Sequence, residues 1–387
     1  MMRESAITVS ATDHHPPPLP LLLWHLGRRG GGPRYLLELA RSLAARDDVR
    51  LSVALSAQSE HFSETAALGV PTLVIDTYRN AAEFAAGLAR LPAIRRQLGR
   101  FIQQQQVQMA LCVMTHLWNP LLVGGIKRAG ARHALVVHDA LPHPGDAQFL
   151  RAPLLALDFR QADLLVSLTA AVGRRLVDRQ GVAPDKLVAS ALGPFLYQGS
   201  GMVTARRLGA GPHRLLFFGR LLPYKGLENL VAAMRLLQLD GFPVTLRLVG
   251  QGPLALEKLP STVTFERRWV AESEIPALFA AADLVVLPYQ EASQSGVLPI
   301  ALHLAVPALV TPVGGLLEQV ENGRSGFVAA DPSPAGLAQA IKQALSDPIR
   351  YDALSARLLE QGGARAWTAI ADRLVEDLGR RLANPAE

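Results

Sequence analysis

The strongest constraint on this chain is an alternation that runs through it twice, in which short apolar stretches of strand length are separated by stretches of helical periodicity. In the first half the apolar stretches are Leu19 to Leu26, Leu51 to Leu55, Pro71 to Ile75, Met109 to Met114, Ala134 to Val137 and Leu164 to Leu168, with a helical pattern over Tyr35 to Ala45. Such repetition builds a parallel sheet covered by helices on both faces, a doubly wound α/β arrangement. The stretch Gly193 to Pro212, rich in Gly, Pro and Ser, breaks the pattern and reads as a linker. The alternation then restarts with strands at Arg214 to Phe218, Val244 to Val249, Val263 to Phe265, Leu284 to Leu287, Pro307 to Thr311 and Gly326 to Ala329. Helices are expected over Leu227 to Leu239, near Glu274 to Ala281, around Val297 to Leu304 and from near Leu316. At 387 residues the chain exceeds what one hydrophobic core serves. The expectation is two Rossmann-like domains facing a central cleft: residues 1–195, a linker at 196–212, a second domain at 213–365, and a C-terminal helix over 366–387 placed to pack back on the first domain.

Composition narrows the function classes. With 49% hydrophobic and 19% charged residues the chain is globular rather than disordered. No apolar stretch is long enough to span a bilayer and no leader pattern frames Leu19 to Leu26, so the expected location is cytoplasmic. The single cysteine, Cys112, excludes internal disulfides and cysteine-rich metal sites and reads as a buried small hydrophobe. Residues 1–200 hold 21 Lys and Arg against 15 Asp and Glu, and the remainder 18 against 18, so the excess charge of +6 is N-terminal. A basic surface there suits phosphate-bearing acceptors or anionic lipid headgroups. Nucleic acid is excluded as a partner by the absence of zinc-finger spacing, RNA-binding aromatics and long basic runs. Glu83 to Gln106, with Arg90, Arg95, Arg96 and Arg100, reads as a basic amphipathic helix suited either to peripheral contact with anionic membrane or to a solvated face.

Chemistry concentrates where strands give way to helices. Phe217-Phe218-Gly219-Arg220-Leu221-Leu222-Pro223-Tyr224-Lys225-Gly226 puts two cations and two glycines at a strand's carboxyl end. The planar Arg fork and the Lys point charge suit a diphosphate leaving group. This segment resembles the Gly-Arg…Lys-Gly loop of the family 4 ("group 1") glycosyltransferases. Val249-Gly250-Gln251-Gly252-Pro253, Ala281-Ala282-Asp283-Leu284-Val285-Val286-Leu287-Pro288 and Val313-Gly314-Gly315-Leu316-Leu317-Glu318 resemble that family's Val-Gly-x-Gly-Pro, Ala-Ala-Asp and Val-Gly-Gly-x-x-Glu segments in the same order. Near the N-terminus, Gly30-Gly31-Gly32-Pro33-Arg34-Tyr35 resembles its Gly-Gly-x-x-Arg-Tyr loop, and Val136-Val137-His138-Asp139 its Val-His-Asp strand end.

The resemblance implies the GT-B architecture, a nucleoside-diphosphate sugar donor and retention of anomeric configuration by a hexosyltransferase, working in envelope or exopolysaccharide assembly on a glycan or lipid-linked acceptor. His138 and Asp139 are then the catalytic candidates, with His143 a neighbour. Arg220, Lys225, Gly31 and Gly32 are candidates for the donor diphosphate. Glu291, Ser295, Gly296, Gly250 and Glu318 are candidates for the donor sugar or nucleoside. No cofactor is implied, and no Asp-x-Asp motif asks for a metal ion. One departure stands out. The family's two Glu residues eight positions apart fall here on Ala292 and Ile300, or on Glu291 and Pro299 if counted one earlier. That gap leaves open an alternative, a non-catalytic sugar-nucleotide-binding or scaffold subunit. A nicotinamide-dependent oxidoreductase is disfavoured, because no Gly-x-Gly-x-x-Gly follows the first strand.

Overall fold

The computed structural model describes residues 17–141, 148–197, 202–361 and 363–383. The first half forms a seven-stranded parallel sheet from β1 (Leu19–His25), β2 (Val49–Ser56), β3 (Thr72–Ile75), β4 (Met109–Cys112), β5 (Arg132–Val137), β6 (Leu164–Ser167) and β7 (Leu187–Ala189), in the order β3-β2-β1-β4-β5-β6-β7. The second half forms a six-stranded parallel sheet from β8 (His213–Phe218), β9 (Val244–Gly250), β10 (Val263–Arg267), β11 (Leu284–Leu287), β12 (Ala308–Val310) and β13 (Phe327–Val328), in the order β10-β9-β8-β11-β12-β13. Central strands such as β1, β4 and β11 are buried along almost their whole length. A strand covered on both faces must be apolar on both, which is why these segments read as continuous hydrophobic runs. In each sheet the order reverses beside the first strand, β1 or β8, which opens a crevice at the strands' carboxyl ends.

β7 was not among the expected strands. It is a three-residue edge strand paired only with β6 and exposed on one face, so no apolar run marks it. The basic amphipathic segment is the helix Ala81–Gln104, opened by the Asn80 side chain accepting from the Glu83 amide. It buries Leu91, Ile94, Leu98 and Ile102 in the first half's core, so its apolar face is occupied there, while Arg96 and Arg100 stay exposed. The last helix, Gly363–Ala383, packs on the helix Gly31–Ala44. Trp367 sits edge-on to Tyr35 with ring centroids 5.1 Å apart, and its indole N–H donates to the Pro194 carbonyl. Among the described residues, no helix is long and apolar enough to cross a membrane.

Candidate active site

The carboxyl ends of the two sheets face one another, and the glycines on the C-terminal side exist because the backbone passes close to itself. A Cβ on Gly250, at the end of β9, would stand 1.7 Å from the Gly219 carbonyl oxygen. One on Gly226 would stand 1.9 Å from that of Pro288, at a φ of 68°. Removing these side chains lets the loops after β8, β9 and β11 nest into one surface. Arg220 lies exposed on it, its guanidinium donating to the Tyr224 hydroxyl at 3.0 Å. Lys225 is buried beneath, its ammonium 3.5 Å from the centroid of the Tyr289 ring. Burial, and then the Arg220 charge, push the Lys225 pKa down to about 7, with the Asp139 carboxylate across the cleft pulling it back up. A cavity of about 180 Å³ lies in front of this surface, walled by Gly31, Arg34, Phe218, Arg220, Gln251 and Trp269.

On the N-terminal side, His138 follows β5. Its Nε2 hydrogen is donated to the Val113 carbonyl at 3.0 Å, and its Nδ1 accepts from the Gln294 amide of the opposite half at 3.0 Å. One nitrogen donating and one accepting defines a neutral ring, and burial lowers its pKa in agreement, with the bond to Val113 and the Asp139 charge opposing. Gly31 borders the cavity. Gly32 instead packs on His25, since a Cβ there would meet the imidazole Nε2 at 2.3 Å. Asp139 is close enough to both His138 and Lys225 to bias their titration. His143 falls outside the described residues.

Of the remaining sequence candidates, Glu318 and Glu291 bond across to the other half and Ser295 shapes its own. Both Glu318 carboxylate oxygens accept from backbone amides, those of Ala170 at 2.5 Å and Ala171 at 2.7 Å. Its negative charge therefore caps the N-terminus of the helix Ala170–Gln180 in the other half. In this arrangement Glu318, a candidate for the donor sugar or nucleoside, holds that helix end. Glu291 pairs with Arg175 at 3.3 Å. The Ser295 hydroxyl bonds Tyr289 at 3.2 Å and accepts from the Val297 amide, and its own amide donates to Gln319, so its polar atoms shape the start of the helix Val297–His303. Gly296 packs beside Phe195. Ala292 and Ile300 are buried among apolar neighbours, so neither position offers a carboxylate to the cleft.

Sequence reasoning missed a network at the cleft's rim. Arg34, paired with Glu38 at 2.8 Å, also reaches Glu272 of the opposite half at 2.9 Å. His61 presents Nδ1 to Glu64 at 2.6 Å and Nε2 to Glu272 at 3.1 Å. Burial opposes protonation of His61, but the hydrogen bonds to Glu272 and Glu64 outweigh it and raise its pKa. Atoms of Glu60, His61 and Glu272 able to bind a metal lie within 4.8 Å of one another, and here His61 and Glu272 use them in ion pairing. Arg34 stood within a quoted motif; Glu272 and His61 carry no local signal.

Residues 212–347 match the family model for glycosyl transferases group 1, and residues 30–193 match that for the glycosyl transferase 4-like domain. A D-inositol 3-phosphate glycosyltransferase of Geodermatophilus obscurus is 28% identical over 385 aligned residues, covering 90% of this chain and 84% of that protein. Among solved structures, Anabaena HepE in complex with UDP and glucose superposes with a TM-score of 0.67 at 18% identity, over 93% of this chain and 99% of that one. Sucrose-phosphate synthase from Thermosynechococcus elongatus gives 0.69 at 18% identity, over 95% and 100%. At these identities the structures establish a shared fold of two Rossmann-like domains.

Proposed function

Because the chain belongs to the family 4, group 1 glycosyltransferases, we propose that it moves a hexose from a nucleoside-diphosphate sugar to an acceptor hydroxyl with retention of configuration. Residues 213–365 are read as the donor domain, residues 1–195 with the helix 366–387 as the acceptor domain, and 196–212 as the linker. The observation that carries this reading is the paired placement of Arg220 and Lys225 on a glycine-built surface at the strands' carboxyl ends. As the bond from the anomeric carbon to the diphosphate breaks, charge grows on the leaving oxygen. Arg220 and Lys225 stabilise that charge, and Lys225 takes up a proton as the diphosphate binds. The acceptor oxygen bonds to the anomeric carbon on the face the diphosphate leaves, and its proton passes to the departing diphosphate, so no carboxylate base is required. His138 and Asp139 border the reacting sugar, His138 as a neutral hydrogen-bonding fixture whose Gln294 partner a sugar hydroxyl replaces. That the solved relative HepE holds UDP and glucose supports a nucleotide-sugar donor here.

The acceptor is a glycan or lipid-linked molecule of envelope or exopolysaccharide assembly, met at the cytoplasmic face, with the exposed Arg96 and Arg100 supplying electrostatic contact to anionic membrane. The buried Ala292 and Ile300 favour a second reading, a subunit that binds donor without turnover. Calorimetry against a panel of UDP-, GDP- and ADP-sugars, followed by incubation of the tightest binder with acceptor extracts, separates the two. Binding with a glycosylated product supports the transferase; binding that never yields product supports the second reading, and no binding refutes both.

A further inference from the structure

The loop after β1, at the carboxyl edge of the N-terminal sheet, contains a cation that its own surroundings leave uncompensated. Arg28, in the loop after β1, is half-buried, and among the described residues it makes no ion pair. Its guanidinium lies 4.7 Å from the centroid of the Tyr78 ring and donates to the Arg79 carbonyl at 2.5 Å. A guanidinium drawn partly out of water is normally matched by a carboxylate, and one without such a match is set for an anion from outside.

The neighbours of Arg28 are arranged as further donors. His116 Nδ1 accepts from the Trp118 amide at 3.2 Å, and burial together with the Arg28 charge pushes the His116 pKa down to about 4. The neutral ring therefore carries its hydrogen on Nε2 and gives it to the Tyr78 oxygen, 2.9 Å away. That leaves the Tyr78 hydroxyl hydrogen as an outward donor beside Arg28. Arg79, the next residue, has a side chain 71% exposed and 3.8 Å from Glu83. The loops concerned follow β1, β3 and β4, on the same sheet edge as His138 after β5. His25 lies within electrostatic reach of both His116 and His138, so the cluster and His138 share one wall.

We propose that Arg28, Arg79 and the Tyr78 hydroxyl form a phosphate-binding subsite, and that the acceptor carries a phosphate ester beside the hydroxyl that is glycosylated. This rests on the reading of the N-terminal half as the acceptor side. Three donors from two loops suit a tetrahedral phosphate better than a planar carboxylate, which one Arg fork satisfies alone. The phosphate belongs either to a soluble phosphate monoester or to a lipid headgroup.

The test uses the full chain saturated with whichever of UDP, GDP and ADP binds, so that Arg220 and Lys225 are occupied. Glycerol 3-phosphate is titrated by calorimetry against glycerol and glycerate, and phosphatidylcholine vesicles with or without phosphatidic acid are tested by co-sedimentation. Saturable binding of glycerol 3-phosphate or of the phosphatidic acid vesicles is expected, and the arm that responds identifies the source. Arg28→Gln weakens that binding about 10- to 100-fold and leaves nucleotide affinity unchanged. Arg28→Lys restores part of it, and Tyr78→Phe, which keeps the ring, weakens it about fivefold. Absence of phosphate binding in the wild type, indifference to both Arg28→Gln and Tyr78→Phe, or equal binding of glycerate overturns the subsite. If no nucleotide binds, the donor reading fails; the same titration without nucleotide then overturns the subsite if only Arg220→Ala weakens it, and supports it if Arg28→Gln does.

Discussion

The two walls of the cleft are built by different means. On the C-terminal wall the backbone makes the surface: Gly219, Gly226 and Gly250 bring three loops into contact, and Arg220 and Lys225 add charge to it. On the N-terminal wall side chains do the work: His138 meets Gln294 of the opposite half, and Arg28, Tyr78 and His116 gather from three neighbouring loops. A surface made by backbone contact tolerates no added atom. A surface made by side chains accepts substitution at a graded cost.

The sharpest way to break this contrast is to add one methyl group where the backbone passes close to itself and one where it does not. Gly226→Ala, at a φ of 68°, forces a Cβ against the Pro288 carbonyl and is expected to cost about 3 kcal/mol of stability in denaturant unfolding. Gly241→Ala, at a similar positive φ but with open space around it, costs about 1 kcal/mol. Equal costs would show that close approach is not what the C-terminal wall requires. On the other wall, His138→Ala is expected to lower kcat about 10- to 100-fold with donor affinity little changed. A fall in donor affinity without loss of kcat would move His138 to the donor site.

The next effect is in pH. Lys225 is held near 7 in the unliganded protein, so above that pH the amine is increasingly neutral, and diphosphate binding must recharge it. Donor affinity should therefore fall by up to about tenfold per pH unit above 7, with proton uptake visible as a buffer-dependent calorimetric heat. A flat profile from pH 7 to 9 would contradict the buried ammonium. The smallest effect concerns the rim. Glu272→Gln should cost about 1 kcal/mol of domain closure, read as a shift to a more open form in small-angle scattering. His61 has its pKa raised by Glu272 and Glu64, so its contribution is complete below the ordinary histidine value and is lost as pH rises through the raised one. The closure difference between wild type and Glu272→Gln should shrink accordingly at high pH.

The same contrast explains what could be read in advance. Leu227–Leu239 and Leu284–Leu287 were legible residue by residue, because a helix with one buried stripe and a strand buried on both faces leave periodicities of their own. Gly219, Gly226 and Gly250 were legible because close approach imposes glycine at fixed spacing. Arg28 with Tyr78, and Arg34 with Glu272, were not, since partners 50 and 238 residues apart share no spacing rule. The partner of Glu318 was not legible, because a first-turn Glu has the same local sequence whether it caps its own helix, binds a ligand or, as here, caps a helix in the opposite half. The helix Ala81–Gln104 was legible as an element, but what lies against its apolar face was not, because amphipathicity gives the width of that face and not what covers it.

The central claim is that Arg220 and Lys225 hold the donor diphosphate, and it is tested most directly by donor turnover in Arg220→Ala and Lys225→Ala. With the best donor from the panel and folded protein verified by circular dichroism, both variants should release nucleoside diphosphate about 100- to 1,000-fold more slowly than wild type. Release at the wild-type rate in both would contradict the account.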